Sequence, residues 1–479
     1  MSFRALTLIV ASFFSLPTYA QDPDPAVGQA LYGEVCAQCH GVRLQGGKAQ
    51  SLVDGIWQFG SSSSHIRRNI KHGITHLGMP AFEGAISEDQ IRSIVAFLKG
   101  REKEVGVTPP PIPSELQSQD HLHIKVDIFA GGLELPWAID FPDDRTALIT
   151  ERPGRLRMVR DNQMVADPVA GTPEVVNAGQ GGLMDVAIDP EYARNGWIYL
   201  AYSHQLDGVH EGERRERAMT RLVRGHIVEN AWTGQEVIFE APHDTYVTTR
   251  HHYGCRIVFD PDGYLYFSIG DRGRSSNAQD LTRPNGKIHR IHPDGSIPDD
   301  NPFIHIENAL PSIYSYGHRN PQGLAIHPVT GRLWITEHGP MGGDELNLIT
   351  AGVNYGWPEI TYGLNYNGTV ITDNEFLPDM QQPNWYWKPS IAVCGLDFVR
   401  GDLFPKWRNH LLVGALKYEE VQLLTLHEDR VLHFETILKN AGRVRDVQTG
   451  PDGAVYIVLN TPGTVLKLTP GEGPMPMGE

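Results

Sequence analysis

The sequence predicts a multi-domain chain: a small all-α domain followed by a larger all-β domain built as a six-bladed β-propeller. Three observations lead there. Residues between 25 and 100 carry apolar positions at helical spacing. Four prolines crowd the stretch Val107 to Pro113. Beyond them, a strand–turn–strand unit recurs to the end of the chain. The 479 residues exceed one ordinary domain, and 50 glycines with 34 prolines fit many turns between short strands.

At the N-terminus, Arg4 precedes an apolar run from Ala5 to Leu16, and Thr18-Tyr19-Ala20 supplies small residues at a cleavage position. This reads as a secretory signal peptide, 1–20, cut before Gln21. A membrane anchor is the alternative, but the run is too short to span a bilayer. A secreted chain of this kind is periplasmic in a Gram-negative cell. The formal net charge of −16 argues against nucleic acid and anionic membrane surfaces as partners.

Cys36-Ala37-Gln38-Cys39-His40 is a C-x-x-C-H element. Cys36 and Cys39 are spaced to form two thioethers to a porphyrin, and His40 to ligate its iron. A redox or zinc C-x-x-C with a chance histidine is the alternative. The second axial ligand is expected from Leu77-Gly78-Met79-Pro80, where glycine and proline hold Met79 in a tight loop. A thioether ligand raises the haem potential, as an electron acceptor requires. His65, His72 and His76 are rival ligands. Two helices should frame the haem, from about Ala26 to His40 and from Ser87 to Lys99. The second opens on Ser87-Glu88-Asp89-Gln90, a capping box, and places Ile91, Ile94, Val95 and Leu98 on one face. Residues 21–103 thus form one domain, and Pro25 to Gly100 resembles a class I cytochrome c.

A linker follows at 104–118. Its prolines fix φ and remove donors, so it should run as a polyproline II spacer at roughly 3.1 Å per residue, or else pack as a surface loop.

From 119 to 471 the repeat takes over, ahead of a tail at 472–479. Its units begin at Trp137, Leu183, Arg256, Gly323, Leu396 and Val444. Each has an apolar strand, a turn that in several units carries Pro-Asp or Asp-Gly, and a second apolar strand. Six units at irregular spacing read as six blades, with a β-sandwich bearing insertions as the alternative. The second strands end on Glu151-Arg152, Tyr202-Ser203, Asp271-Arg272, Glu337-His338, Lys417 and Asn460. In a propeller these polar ends converge on one funnel.

Gly179-Gln180-Gly181-Gly182-Leu183, His252-Tyr253-Gly254-Cys255-Arg256, Gly270-Asp271-Arg272-Gly273, Gly317-His318-Arg319-Asn320-Pro321, His338-Gly339-Pro340, Asp344-Glu345-Leu346-Asn347, Asn354-Tyr355-Gly356-Trp357-Pro358, Ala415-Leu416-Lys417 and Arg443-Val444-Arg445-Asp446 stand in this order. As a set they resemble the soluble aldose sugar (glucose-type) dehydrogenases, six-bladed propellers that use pyrroloquinoline quinone (PQQ). The resemblance covers about residues 119–470. It implies that Lys417, Arg443 and Arg445 hold the cofactor's carboxylates, with Arg319, Asn320, Gln180 and Tyr366 as further cofactor contacts. An R-x-R in a strand puts both guanidinia on one face. It implies His252 as general base, Asp271 orienting the base or the sugar, and Gln180 touching cofactor or sugar. It also implies a cofactor-site calcium on the carbonyls of Gly339 and Pro340. A second, structural calcium falls on Glu345 and the backbone of Tyr355, with Asp344 as a weaker ligand. His251 should face away from His252 if the stretch is extended.

Two departures stand out. Cys255 and Cys394 replace residues that are usually serine; they are either a disulfide across the funnel or two separate buried thiols. Asn460 stands where glucose-type members can carry aspartate, which puts the sugar preference in doubt. The implied function is oxidation of an aldose to an aldonolactone by a quinohaemoprotein, with electrons leaving through haem c to an external cytochrome or oxidase. A homodimer is a possible assembly. A calcium-dependent propeller lactonase and a non-catalytic binding propeller are the competing readings.

Overall fold

A computed structural model describes residues 22–472, except 47, 50, 54–56, 58–62, 75–78, 106–111 and 207–215. The signal peptide, His76, Leu77, Gly78, most of the proline run, the end of the tail and the side chain of His65 therefore lie outside the described residues. The chain divides into two compact units, Met1–Pro110 and Pro111–Glu479.

The first unit is helical. Asp24 accepts the Ala26 amide at 2.8 Å and caps a helix over Pro25–Leu31, with Pro25 in the first turn, where a missing N–H costs nothing. The helix does not run evenly to His40. It widens into a π-helical turn over Tyr32–Cys36 before a last turn at Ala37–His40. Further helices span Ser63–His72 and Glu88–Val105. The last is capped reciprocally: Gln90 Oε1 accepts from the Ser87 amide at 2.9 Å, and Ser87 Oγ from the Gln90 amide at 3.3 Å. Ile91, Ile94, Val95 and Leu98 are all buried on its inner face. The first and last helices touch at Gly28, where an added Cβ would lie 2.0 Å from the Ser93 carbonyl oxygen.

The second unit is a six-bladed β-propeller. Its innermost strands are Pro136–Asp143, Leu183–Ile188, Ile257–Phe259, Pro321–Ile326, Val393–Phe398 and Arg443–Thr449. Each pairs antiparallel with the next strand in sequence, so all six repeats appear as the inner hairpins of blades. The innermost strands of neighbouring blades touch around a ring, which closes where the last meets the first. Two strands distant in sequence seal the sixth blade: His123–Ala130 pairs with Thr464–Pro470. Glu115–Gln117 adds a fifth strand to that sheet.

Aspartates of the innermost strands tie blade to blade. Asp140 accepts the Ile188 amide at 2.8 Å, Asp185 the Ile257 amide at 2.6 Å, and Asp397 the Thr449 amide at 2.7 Å. Asp446 accepts the Ile139 amide at 3.3 Å across the closure. Arg256 bridges Asp185 and Asp446 at 2.7 and 3.0 Å. Among the described residues, no helix is long and apolar enough to cross a membrane.

Replacing Gly28 by valine should destabilise the helical unit by about 1–3 kcal/mol through overpacking against Ser93. Differential scanning calorimetry should show an earlier helical-unit transition with the propeller transition in place.

Candidate active site

In an antiparallel hairpin the start of one strand and the end of the next lie at the same end. The propeller therefore gathers at one face the residues before each innermost strand and after each second strand. Gln180, His252, Arg319 and Asn320 belong to the first set; Asp271, His338 and Lys417 belong to the second. Arg443 and Arg445 join them at the start of the sixth blade's innermost strand.

At the third blade stands a histidine–carboxylate pair. His252 Nδ1 lies 2.7 Å from Asp271 Oδ1. The backbone of His252 has φ +57°, a left-handed conformation uncommon outside glycine. Several contacts hold it there. Its amide donates to Gln180 Oε1 at 2.7 Å. Arg272 is fully buried over the Tyr253 ring at 3.5 Å and donates to the carbonyls of His251 and Thr249. Gly270 must be glycine, because a Cβ there would meet the His252 carbonyl oxygen at 2.6 Å. Because this stretch is not extended, His251 does not face away: its ring centroid lies 4.7 Å from that of His252.

Asp271 is held at both oxygens. Oδ1 also accepts the Gly273 amide at 2.7 Å, and Oδ2 accepts the Trp357 indole N–H at 2.9 Å. Burial works to raise its pKa, but the His252 bond, the charge of Arg319 and the Gly273 amide carry it below the usual value. Asp271 is therefore ionised, which places the His252 proton on Nδ1 and leaves Nε2 as the acceptor. For His252, burial dominates over Asp271 and lowers the pKa to about 4. The imidazole is neutral at neutral pH.

Arg319 flanks the pair. It donates to the carbonyls of His338 and Gly339 at 3.1 and 2.9 Å, and its guanidinium lies 5.4 Å from the Trp357 ring centroid. Asn320 Oδ1 accepts the Gly254 amide at 3.2 Å. Its Nδ2 is buried with no protein partner among the described residues.

Cations gather opposite. Arg445 donates to Gln322 Oε1 at 2.9 Å and leaves a buried Nε unpartnered. Burial and Arg445 together lower the pKa of Arg443 and of Arg152. Arg152, at the end of a second strand, also has a buried, unpartnered Nε. These guanidinia face one another more than they face carboxylates. Lys417 is half-buried, with its ammonium 5.8 Å from the Tyr418 ring centroid. Tyr366 stands 65% exposed on a neighbouring loop. Of the converging strand ends, Ser203 and Glu151 are instead buried and turned to structural bonds, Ser203 to the Val176 carbonyl and Glu151 to the Glu134 amide.

The expected calcium positions carry oxygen. The Gly339 carbonyl accepts from Arg319 and the Pro340 carbonyl from Ser390 at 3.1 Å, each keeping one lone pair. Asn347 Nδ2 bridges Glu337 and Glu345 at 3.1 and 3.0 Å, so two carboxylates approach one another there. Asp344 is committed to the amides of Gly339, Ala392 and Val393. Tyr355 packs its ring on His318 beside this group, at a centroid distance of 4.8 Å.

Cys255 and Cys394 are both free thiols. Cys255 Sγ contacts Met184 Sδ at 3.0 Å, whereas Cys394 Sγ lies 3.4 Å from Arg445 Nη1. Each thiol has its own partner, so the structure has two separate buried thiols and no disulfide. In the helical unit Cys36 and Met79 pack against the same apolar cluster, and His72 pairs with Glu83 at 3.4 Å. The family resemblance implies no role for Trp357, within Asn354-Tyr355-Gly356-Trp357-Pro358, or for Arg152, which the sequence shows only as one of the polar strand ends.

Residues 133–467 match the family model described as Glucose / Sorbosone dehydrogenase, and residues 23–98 that of Cytochrome C oxidase, cbb3-type, subunit III. Aldose sugar dehydrogenase YliI of Escherichia coli is 40% identical over 354 residues, covering 72% of this chain and 93% of the relative. Quinoprotein glucose dehydrogenase B of Acinetobacter calcoaceticus is 27% identical, covering 75% of this chain and 90% of that protein. The crystal structure of the soluble aldose sugar dehydrogenase from Escherichia coli, in its apo-form, superposes with a TM-score of 0.67 at 37% identity, covering 73% of this chain and all of that one.

An NMR titration of the histidine ring nitrogens should give His252 a midpoint near pH 4, against about 6.5 for an exposed histidine. Asp271→Asn should lower that midpoint further, because it removes the charge that favours the imidazolium. The unfolded chain binds this proton first, so the group costs the fold stability as pH falls from about 6.5 to about 4.

Proposed function

The chain belongs to the glucose/sorbosone dehydrogenase family of PQQ-dependent sugar dehydrogenases, with a cytochrome c domain ahead of the propeller, and from that premise we propose that it oxidises aldoses to aldonolactones in the periplasm and passes the electrons through covalently bound haem c to an external acceptor. The observation that carries the reading is a neutral, oriented imidazole on the same face of the propeller as a cluster of guanidinia short of anions.

That cluster fits a tricarboxylate. Arg443, Arg445 and Lys417 would hold PQQ, joined by Arg152 and by the unpartnered amide of Asn320. Arginine offers forked donors to a carboxylate, and lysine a point charge. Arg319, Gln180 and Tyr366 would complete the cofactor's surroundings. When bound, PQQ supplies the ortho-quinone that takes up the sugar's hydride, and a calcium ion at Gly339 and Pro340 supplies Lewis acidity. The paired carboxylates Glu337 and Glu345, with the Tyr355 backbone, offer the hard oxygen donors that a structural calcium prefers; Asp344, already spent on three amides, is the poorest placed.

His252 acts at Nε2. It takes the proton of the anomeric hydroxyl while C1 gives up hydride, and the ring sugar becomes a lactone. Asp271 keeps Nδ1 protonated throughout and stabilises the imidazolium that forms. Fusion to the cytochrome makes the first electron transfer intramolecular, which raises effective concentration. In that domain Cys36 and Cys39 would attach the haem, and His40 with Met79 would ligate its iron. The secretory leader at the N-terminus supports a periplasmic site. A lactonase would require neither the arginine cluster nor a haem.

With PQQ, calcium and a dye acceptor, the full chain should oxidise glucose or another aldose. His252→Ala should lower kcat by roughly 10²–10⁴ without loss of PQQ binding. An unchanged rate in that variant, or no oxidation of any aldose by the loaded wild type, would sink the proposal. Arg445→Ala should weaken PQQ binding by roughly 10-fold or more, read by fluorescence titration. Met79→Ala should lower the haem midpoint potential in a redox titration.

A further inference from the structure

Trp357 lies on the long segment 349–384, between the third and outer strands of the fourth blade. Its indole nevertheless reaches the third blade. Nε1–H donates to Asp271 Oδ2 at 2.9 Å, while Asp271 Oδ1 takes His252 Nδ1 and the Gly273 amide, each at 2.7 Å. The same ring lies 5.4 Å from the Arg319 guanidinium, and the Asp271 amide donates to the Arg319 carbonyl at 2.8 Å. One side chain thus touches both the carboxylate behind the base and the arginine beside the cofactor position.

We propose that Trp357 is a positioning residue for the base: by fixing Asp271 Oδ2 it holds Oδ1 on His252 Nδ1 and so keeps Nε2 as the proton acceptor. This rests on the assignment of His252 as the base. A carboxylate bonded at one oxygen alone can rotate about its last torsion, a broad one for aspartate. Bonded at both, it cannot. The charged or titratable groups around His252 are Asp271, Arg319, His251 and His338. None of them contacts Asp271 Oδ2 in place of the indole. Loss of the N–H would leave Asp271 a stronger acceptor, favour the imidazolium, and raise the pH at which the base is lost.

Trp357→Phe removes the N–H and keeps an aromatic ring. In the full chain loaded with PQQ, kcat should fall roughly tenfold, with KM and PQQ affinity unchanged. The acid limb of the pH profile should move upward. In an Asp271→Asn background the same substitution should cost little more, because the indole acts through that carboxylate. A Trp357→Phe variant with wild-type kcat and pH profile, or an equal loss in the Asp271→Asn background, would overturn the proposal. His252→Ala, run alongside, separates the two claims: full activity there removes the base itself. Indole-¹⁵N spectra of the unloaded protein give a readout that does not need a Trp357 variant. One indole resonance should follow the titration of His252 and stop doing so in Asp271→Asn; if no indole follows it in the wild type, the proposal fails.

Discussion

Closure of the ring is the constraint on which everything else rests. Six sheets can present their strand ends to a common centre only if the sixth is held against the first. Two devices do this here. The strand His123–Ala130 completes the sixth sheet by pairing with Thr464–Pro470. Aspartates on the innermost strands accept amides of the next blade, including Asp446 to Ile139 across the closure. Each such bond satisfies an amide that would otherwise be buried unpaired, at a cost of a few kcal/mol. Arg256 supplies a cation between two of these carboxylates, so the charge at the axis is partly compensated.

On that frame the site separates two electrostatic jobs. At the third blade, burial keeps His252 neutral while Asp271 stays ionised, a pairing suited to taking one proton at a defined nitrogen. Toward the sixth blade, Arg152, Arg443 and Arg445 are brought together with little negative charge between them. Such a cluster costs stability through mutual repulsion and favours an anionic ligand. The left-handed backbone at His252 is a local strain of the same sort. It is held by the Gln180 bond and the Arg272 clamp, and it turns both His251 and His252 to one side.

Much of this was legible in the sequence because it is written locally. The six inner hairpins follow from alternation and turn residues, and the capping box at Ser87 follows from spacing. What stayed hidden is long-range. Trp357 and Asp271 stand 86 residues apart, and no periodicity links them. The strand His123–Ala130 has only the short Glu115–Gln117 as a turn-linked partner, so nothing nearby in the sequence announces that its other edge closes the ring against Thr464–Pro470. His251 was expected to face away because extended backbone alternates its side chains; the positive φ at His252 breaks that alternation. Cys255 and Cys394 left a disulfide and two separate thiols both open, because the sequence does not place side chains of different blades; each thiol lies against its own neighbour, Met184 or Arg445. The π-helical turn Tyr32–Cys36 inserts a residue that a 3.6-residue pattern does not register.

Sugar oxidation in the propeller is proposed to feed the haem of the same chain. The direct measurement is the haem absorption spectrum of the purified full chain, oxidised, loaded with PQQ and calcium, and mixed anaerobically with an aldose. The haem should become reduced, at a rate constant independent of protein concentration. A haem that stays oxidised with PQQ bound and sugar present, or a rate constant that rises in proportion to protein concentration, would contradict it.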